Sequence, residues 1–387
     1  MGFRWVICFL LVLFICGPVT ASATDLQVVT GAKQLELYVP KLKNKNVALV
    51  ANQASLVGDT HLLDVLLSHG ITIKRVLAPE HGFMNQKDAG ELDVDTIDLR
   101  TSIEIVALYK ASKKLNPSML EGVDVVVFDL QDVGVRFFTY ISTLHYVMEG
   151  CARYGKPLLL LDRPNPNAHY IDGPVLEKAV QSFVGMHPIP IVYGLTIGEL
   201  AGMINEEGWL GDGLACDLEI IPLKNFTHQT AYQLPIKPSP NLNNRQAIVL
   251  YPSLGLFEGT IMSIGRGTES PFQVIGYPDK KWGKFCFTPR SMPGMANTPK
   301  YQDKVCYGID LRDALPTPYI NLSYLLHFYK LAKEQNLPFF EKSFDQHVGN
   351  RMLRQQIEAG FSEEAIRASW EPGLKKYKAL RKKYVRY

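Results

Sequence analysis

The sequence predicts an α/β protein, with a doubly wound parallel sheet in its first part and a smaller α+β domain behind it. Three observations carry this reading. Short apolar runs recur at residues 47–50, 71–77, 103–108, 123–128 and 158–161, with helix-like segments between them. That alternation is the pattern of buried parallel strands joined by crossover helices. Each run ends in a burst of polar residues, and ligands of such sheets bind at the carboxyl ends of the strands. The pattern then changes after a Pro- and Asn-rich stretch at residues 235–245, where glycine-rich turns replace the alternation.

Taken in order, residues 1–23 read as an export signal, with Arg4 as the positive region, residues 5–16 as the apolar region and Ala21-Ser22-Ala23 as the cleavage site. The apolar run is too short for a comfortable membrane span. Cleavage then leaves an exported chain, periplasmic or secreted, with no integral span. Lipidation of Cys16 is the alternative, which the bulky Leu13-Phe14-Ile15 disfavours. Strands are expected to end at Asn52-Gln53, at Glu80-His81-Gly82, at Tyr109, at Asp129 and at Asp162. Helices are expected at residues 60–68 and 138–154, a short strand at 189–193, a helix from Thr196 to Trp209 and a strand at 218–221. Thr196-x-x-Glu199 is a capping box, which gives Glu199 a structural role. Beyond the linker, helices are expected at 323–335, 344–359 and 362–386. The division is therefore a signal at 1–23, a catalytic domain at 24–246 and an α+β domain at 247–387 that completes a cleft.

Composition narrows the function. A net charge of +3 over 387 residues gives no basis for nucleic-acid binding. No GxGxxG follows the first strand, and neither GxSxG nor HExxH occurs. Of the cysteines beyond the signal, Cys286 and Cys306 bracket a loop and are the best pairing candidates, with Cys151 and Cys216 the others. None has the spacing of a structural zinc site. No metal or cofactor is required.

Three strand-end clusters carry the chemistry. Pro79-Glu80-His81-Gly82 with Asp88-Ala89-Gly90-Glu91 offers several carboxylates and a histidine beside flexible glycines. Glycoside hydrolysis needs such a carboxylate pair, one to protonate the leaving oxygen and one to act as base or nucleophile. Glu80 and Glu91 are the catalytic candidates, and His81 and Asp88 the supporting ones. In the second cluster, Asp129, Gln131, Arg136 and Tyr140 either hold a substrate or brace the strand–helix turn; an Arg is the natural fork for a substrate carboxylate. In the third, Asp162-Arg163-Pro164-Asn165-Pro166 leaves its strand on a rigid turn, with Asp162, Arg163 and Asn165 able to meet hydroxyls or only to fix the turn. Asn52, and Glu258 with Arg266 from two glycine-flanked islands, complete the candidate set.

These motifs together resemble one family. The residues that carry the resemblance are Ala78-Pro79-Glu80-His81-Gly82, Asp88 to Glu91, Phe128 to Tyr140, Leu161 to Pro166, Gly173-Pro174, Ser182 to Gly185, Gly194 to Leu200, Glu258-Gly259-Thr260 and Gly265 to Thr268. They match the exo-β-N-acetylmuramidase family, formerly a domain-of-unknown-function family, from about residue 45 to the C-terminus. The resemblance implies a Rossmann-like first domain and an active cleft against the second. It also implies exo-cleavage of N-acetylmuramic acid from the non-reducing ends of peptidoglycan fragments, with Glu80 as the acid. The expected partner is a muropeptide or a MurNAc-GlcNAc saccharide, whose lactyl carboxylate Arg136, Arg163 or Arg266 would bind. The 2-acetamido group of that sugar can itself attack the anomeric carbon, so a substrate-assisted route stays open beside the two-carboxylate one. Members carry an Arg after the Phe of Glu-His-Gly-Phe; here Met84-Asn85-Gln86-Lys87 follows Phe83, and Lys87 stands nearest to that role. Two other readings remain. Glu80, His81, Asp88, Asp129 and Asp132 include metal-ligand types, as in a metal-dependent hydrolase, and two domains around a cleft also suit a non-catalytic muropeptide-binding protein.

Overall fold

A computed structural model of the chain describes residues 27–387 apart from 85, 89, 90, 92, 93 and 111. The expected export signal and Cys16 lie outside the described residues. Helix α1 (Leu35–Leu42) leads into strand β1 (Asn46–Ala51), a small hairpin of β2 (Leu56–Val57) and β3 (Thr60–His61), and helix α2 (Leu62–Ser68). Strands β4 (Thr72–Ala78), β5 (Thr96–Asp98), β6 (Ile103–Ala107) and β7 (Val125–Asp129) follow. Helix α3 (Tyr140–Arg153), strand β8 (Leu158–Leu161), helix α4 (Ile197–Glu206) and strand β9 (Leu218–Ile221) complete the first unit.

The main sheet has the order β5-β6-β4-β1-β7-β8-β9. Its pairings are parallel except for the edge strand β5, which is antiparallel. The order runs outward from β1 on one side and from β7 on the other. The sheet is therefore doubly wound, with its switch point between β1 and β7. Alternate residues feed opposite faces, as a strand requires. Val47 and Leu49 of β1 pack with Tyr38 and Leu42 of α1 and Leu62 and Leu66 of α2. Ala48 and Val50 join Val126 and Phe128 of β7 against α3 and α4.

The second unit opens with helix α5 (Arg245–Leu254), where the sequence suggested only turns; Pro252 inside it and Gly255 after it hide its signal. An antiparallel sheet follows, made of β10 (Val274–Tyr277), β11 (Phe285–Phe287) and β12 (Cys306–Asp310) in the order β10-β12-β11. Helices α6 (Ser323–Glu334), α7 (Phe344–Val348), α8 (Met352–Glu358) and α9 (Glu363–Arg381) end the chain. The one helix expected at 344–359 is broken in two because Gly349 closes α7 in the left-handed region, at φ 84°. The run at 189–193 is no strand: within it Val192 makes isolated bridges to Val135 and Asp172. The capping box at Thr196 and Glu199 is present. One apolar core crosses both units, joining Phe128 and Leu144 to Phe257, Phe328 and Trp370. Helix α9 returns to the first unit, where the Tyr377 hydroxyl donates to the Tyr193 carbonyl at 2.7 Å.

The expected Cys286–Cys306 bond is not formed. Cys286 stands opposite Tyr307 and Cys306 opposite Phe287, one position out of register. A one-residue offset turns side chains to opposite faces, and Cys286 is exposed while Cys306 is buried. The thiols that meet are Cys151 and Cys216, both buried, and that contact together with burial raises the Cys151 pKa.

A buried histidine pair sits under the first unit. His145 Nδ1 and His187 Nε2 are 3.1 Å apart, and the His187 ring stacks on Trp209. Burial pushes His145 down to about 4 and His187 well below the usual imidazole range. The unfolded rings titrate near 6.5. Below that pH the unfolded chain takes up protons that the folded chain refuses, so stability is full above pH 6.5 and falls as the pH drops toward 4. The slope is about 1.4 kcal/mol per pH unit for each ring. The midpoint of thermal unfolding should therefore fall between pH 7 and pH 5, and His187→Phe should lose a large part of that fall; an unchanged pH dependence in the variant would assign the effect elsewhere.

Candidate active site

Glu80 follows the carboxyl end of β4. The turn that presents it is closed by Gly82 N–H donating to the Pro79 carbonyl at 3.0 Å. His81 and Gly82 both lie in the left-handed region, at φ 72° and 75°. Glycine adopts this freely; a histidine there carries backbone strain, which persists where surroundings fix it and is concentrated at functional sites. The His81 ring is held by a bond from Nδ1 to the Lys87 carbonyl at 2.9 Å. That bond makes Nδ1 the protonated nitrogen and leaves Nε2 as an acceptor. Burial lowers the His81 pKa against the raising effect of Glu80, so the ring is neutral.

The Glu80 carboxyl is buried. Thr139 Oγ1 donates to its Oε2 at 2.5 Å. Thr139 occupies the N-cap position of α3, yet its side chain caps nothing there. A threonine at that position normally satisfies the helix N–H groups; here it is spent on Glu80 instead. The Tyr109 hydroxyl also bonds Glu80, and burial followed by the carboxylate's charge pushes Tyr109 up to about 12.

These groups open into a cavity of about 280 Å³ between the two units. Phe137, Phe138, Tyr140, Leu242, Tyr251 and Phe272 form its buried floor with Ser239 and Asn241. The half-exposed rim has two parts. Tyr109, Phe183 and Val184 come from the first unit, and Glu258, Arg266 and His347 from the second. Arg266 Nε and Nη2 donate to one oxygen of Glu258 at 3.0 and 2.6 Å. Burial opposes charge on both, but the pairing prevails: Glu258 is held below the usual carboxylate range and Arg266 above its own.

The structure thus brings Glu80, His81, Tyr140, Glu258 and Arg266 to one cavity. Asn52 stands behind it: its Nδ2 donates to the Tyr140 hydroxyl at 2.9 Å and fixes that ring. The other candidates are committed elsewhere. Asp129 and Arg163 form a buried two-bond fork, at 2.5 and 2.8 Å. Gln131 donates to the Asp132 and Pro164 carbonyls, tying two strand-end loops together. Asp162 accepts from Thr196 Oγ1 at 2.7 Å, from Gly198 N–H at 2.8 Å and from the Tyr387 hydroxyl at 2.8 Å. Asn165 donates to the Leu195 carbonyl and accepts from Asn167 N–H.

Arg136 corrects the expectation of a substrate fork. Its guanidinium is fully buried and donates to the carbonyls of Pro174, Ile189, His347 and Val348. It does not share a face with Tyr140, because it precedes α3 and turns the other way. Glu91 is likewise not brought to the cavity. It accepts from Asp88 N–H and from Asn297 Nδ2, at 3.0 and 3.1 Å, and pairs with Lys87. Asp88 accepts from Asn297 N–H at 2.7 Å. These two acids dock the loop after Glu80 onto the second unit, and Lys87 serves that dock.

The sequence reading missed Tyr109, Phe183, Ser239, Asn241, Tyr251 and His347 as cavity residues. Tyr109 ends its strand as Glu80 does and was available to the same rule. Ser239 and Asn241 lie in the stretch read as linker, and His347 on a helix with no distinguishing pattern. Among the described residues, no group of three His, Cys, Asp or Glu side chains is arranged to hold a metal ion.

A doubly wound sheet, a second α+β unit across its ligand edge, and a strand-end carboxyl in a polar–aromatic cavity form the frame of an α/β enzyme with an acid at its ligand edge. The chain belongs to the exo-beta-N-acetylmuramidase NamZ family: the family's N-terminal part matches residues 47–246 and its C-terminal part residues 249–387. It is 37% identical over 373 residues to the peptidoglycan beta-N-acetylmuramidase NamZ of Bacillus subtilis (strain 168), covering 90% of this chain and 89% of that one. Two crystal structures of DUF1343 family proteins from Bacteroides fragilis NCTC 9343 are similar in fold. One has a TM-score of 0.86 at 43% identity and the other 0.79 at 26%, each match covering 93% of this chain and 99% of that chain.

Proposed function

We propose that this glycoside hydrolase releases N-acetylmuramic acid from the non-reducing ends of peptidoglycan fragments. The observation that carries the reading is Glu80, buried at a strand end and held by Thr139 and Tyr109 in a polar–aromatic cavity of about 280 Å³. Glu80 protonates the leaving glycosidic oxygen. Glu258 is the second cavity carboxylate and stabilises the positive charge that develops at the anomeric carbon, while the substrate's acetamido oxygen or a water attacks that carbon. The neutral His81 beside Glu80 offers Nε2 as an acceptor for a sugar hydroxyl. The apolar segment in residues 1–23 supports export as the route by which the enzyme meets the cell wall.

The direct test is turnover of a MurNAc-GlcNAc disaccharide followed by release of free N-acetylmuramic acid. Binding without release would favour a capture protein, and activity lost to a chelator and restored by one metal would favour a metal hydrolase.

Arg266 takes the role of lactyl-carboxylate partner that the sequence offered to three arginines. Two of its five N–H donors are spent on one oxygen of Glu258. Arg266→Ala should raise KM for a β-N-acetylmuramide by about tenfold more than for the matching glucosaminide, which lacks the carboxylate. Equal effects on the two would confine Arg266 to its pairing with Glu258.

A further inference from the structure

We infer that Tyr109 and Phe183 form the surface on which the leaving sugar, an N-acetylglucosamine residue, stacks as its bond to N-acetylmuramic acid is cut. The inference rests on the glycosidase reading above and assigns its leaving-group side.

With N-acetylmuramic acid seated in the cavity beside Glu80, as proposed above, the next residue of the substrate lies toward the rim. It must lie beside Glu80, because Glu80 protonates the oxygen that this residue carries away. The aromatic rim residue bonded to Glu80 is Tyr109, and its ring leans on Phe183 with centroids 5.6 Å apart. Both rings line the cavity and both are half-exposed.

The shelf is built and backed. The Ser142 hydroxyl donates to the Phe183 carbonyl at 2.7 Å and fixes the turn that carries the ring. Tyr146 of α3 stacks nearly parallel to Phe183, at 6.2 Å and 10°. The Lys113 ammonium lies 4.5 Å from the Tyr109 centroid and 5.1 Å from that of Phe183. A ring face is electron-rich and attracts both a cation and the polarised C–H bonds of a pyranose. The two partly exposed rings, inclined to each other by 55°, therefore offer aromatic faces to the apolar side of a neutral sugar. The other side of the rim, with Arg266, is the side that suits a carboxylate. The geometry separates the two sugars by chemistry: charge recognition for the one released, stacking for the one left behind.

Product inhibition tests this, since each product reports on its own half of the site. Wild-type enzyme hydrolysing MurNAc-GlcNAc is inhibited with added N-acetylglucosamine or with added N-acetylmuramic acid. Phe183→Leu keeps the apolar bulk and removes the ring, and Phe183→Trp restores a ring. We expect Phe183→Leu to weaken inhibition by N-acetylglucosamine roughly tenfold, to leave inhibition by N-acetylmuramic acid unchanged, and Phe183→Trp to recover most of the loss. The unchanged second constant also shows that the variant is folded. Unaltered inhibition by N-acetylglucosamine, or a loss confined to N-acetylmuramic acid, overturns the inference. Absence of any disaccharide cleavage by the wild type overturns instead the glycosidase reading on which it rests.

Discussion

Glu80→Gln should lower kcat on a MurNAc-GlcNAc disaccharide by about a thousandfold, near the upper range for loss of a positioned general acid, with KM little changed. Gln keeps the shape and can still accept the Thr139 hydroxyl, so the fold and the cavity survive. What it lacks is a proton to give. The loss should shrink on a muramide with a nitrophenolate leaving group, which departs without protonation. That contrast separates a proton donor from a nucleophile, because a nucleophile is needed whatever the leaving group. Equal losses on both substrates would move Glu80 out of the acid role, and near-normal disaccharide cleavage would remove it from catalysis.

Arg136→Ala should fail through folding rather than through substrate binding. The side chain is sealed in a shell of main-chain carbonyls, two of them, His347 and Val348, at the end of α7. Burial pushes its pKa down to about 9, which still leaves it charged at neutral pH. The fit is close: a Cβ at Gly349 would lie 2.2 Å from its Nη2. Truncation orphans several buried acceptors and opens a void, a loss on the order of 5 kcal/mol. The midpoint of thermal unfolding should fall by about 6 °C. Arg136→Lys should recover little, since a single ammonium cannot reach carbonyls spread around a planar fork. The ratio of muramide to glucosaminide KM, measured on whatever folds, should not move. A stable Arg136→Ala with a selective defect on the muramide would restore the substrate role suggested by its sequence context.

Period and punctuation made the sheet legible. The expected strands of the parallel layer are present except the run at 189–193, because buried strands are continuous apolar runs that little else resembles. Glu80 was legible for a related reason: a strand end in an α/β layer points at the ligand edge. The same rule also proposed Asp129, Asp162, Asn165 and Arg163, and these proved to be tied to one another, to helix termini or to turns. Strand-end polar residues have two uses, to meet a ligand or to satisfy the many main-chain groups where a sheet stops, and local sequence does not tell them apart. Arg136 shows the limit most sharply. Its acceptors lie 38 to 212 positions away, and no window around residue 136 contains them. Glu91 and Asp88 were read as chemistry because acids beside glycines suit an active site, whereas their partner Asn297 belongs to the second unit. Ser239 and Asn241 were hidden by the opposite error, since Pro and Asn mark exposed linkers in most chains and here line a cavity floor.

Asp162 has a consequence for what this sheet can no longer hold. Folds of this architecture seat phosphates at the amino end of the helix beyond a strand, where free N–H groups and the helix dipole attract an anion. In this chain that seat, at the start of α4, already contains an anion tethered to the preceding strand: the Asp162 carboxylate takes the Gly198 N–H, and a Cβ at Gly198 would sit 2.6 Å from its Cγ. A nucleotide arriving there would have to expel a side chain that Thr196 and Tyr387 also hold. The start of α4 is in effect self-liganded, and the cavity at Glu80 lies apart from it, over β4 and against the second unit.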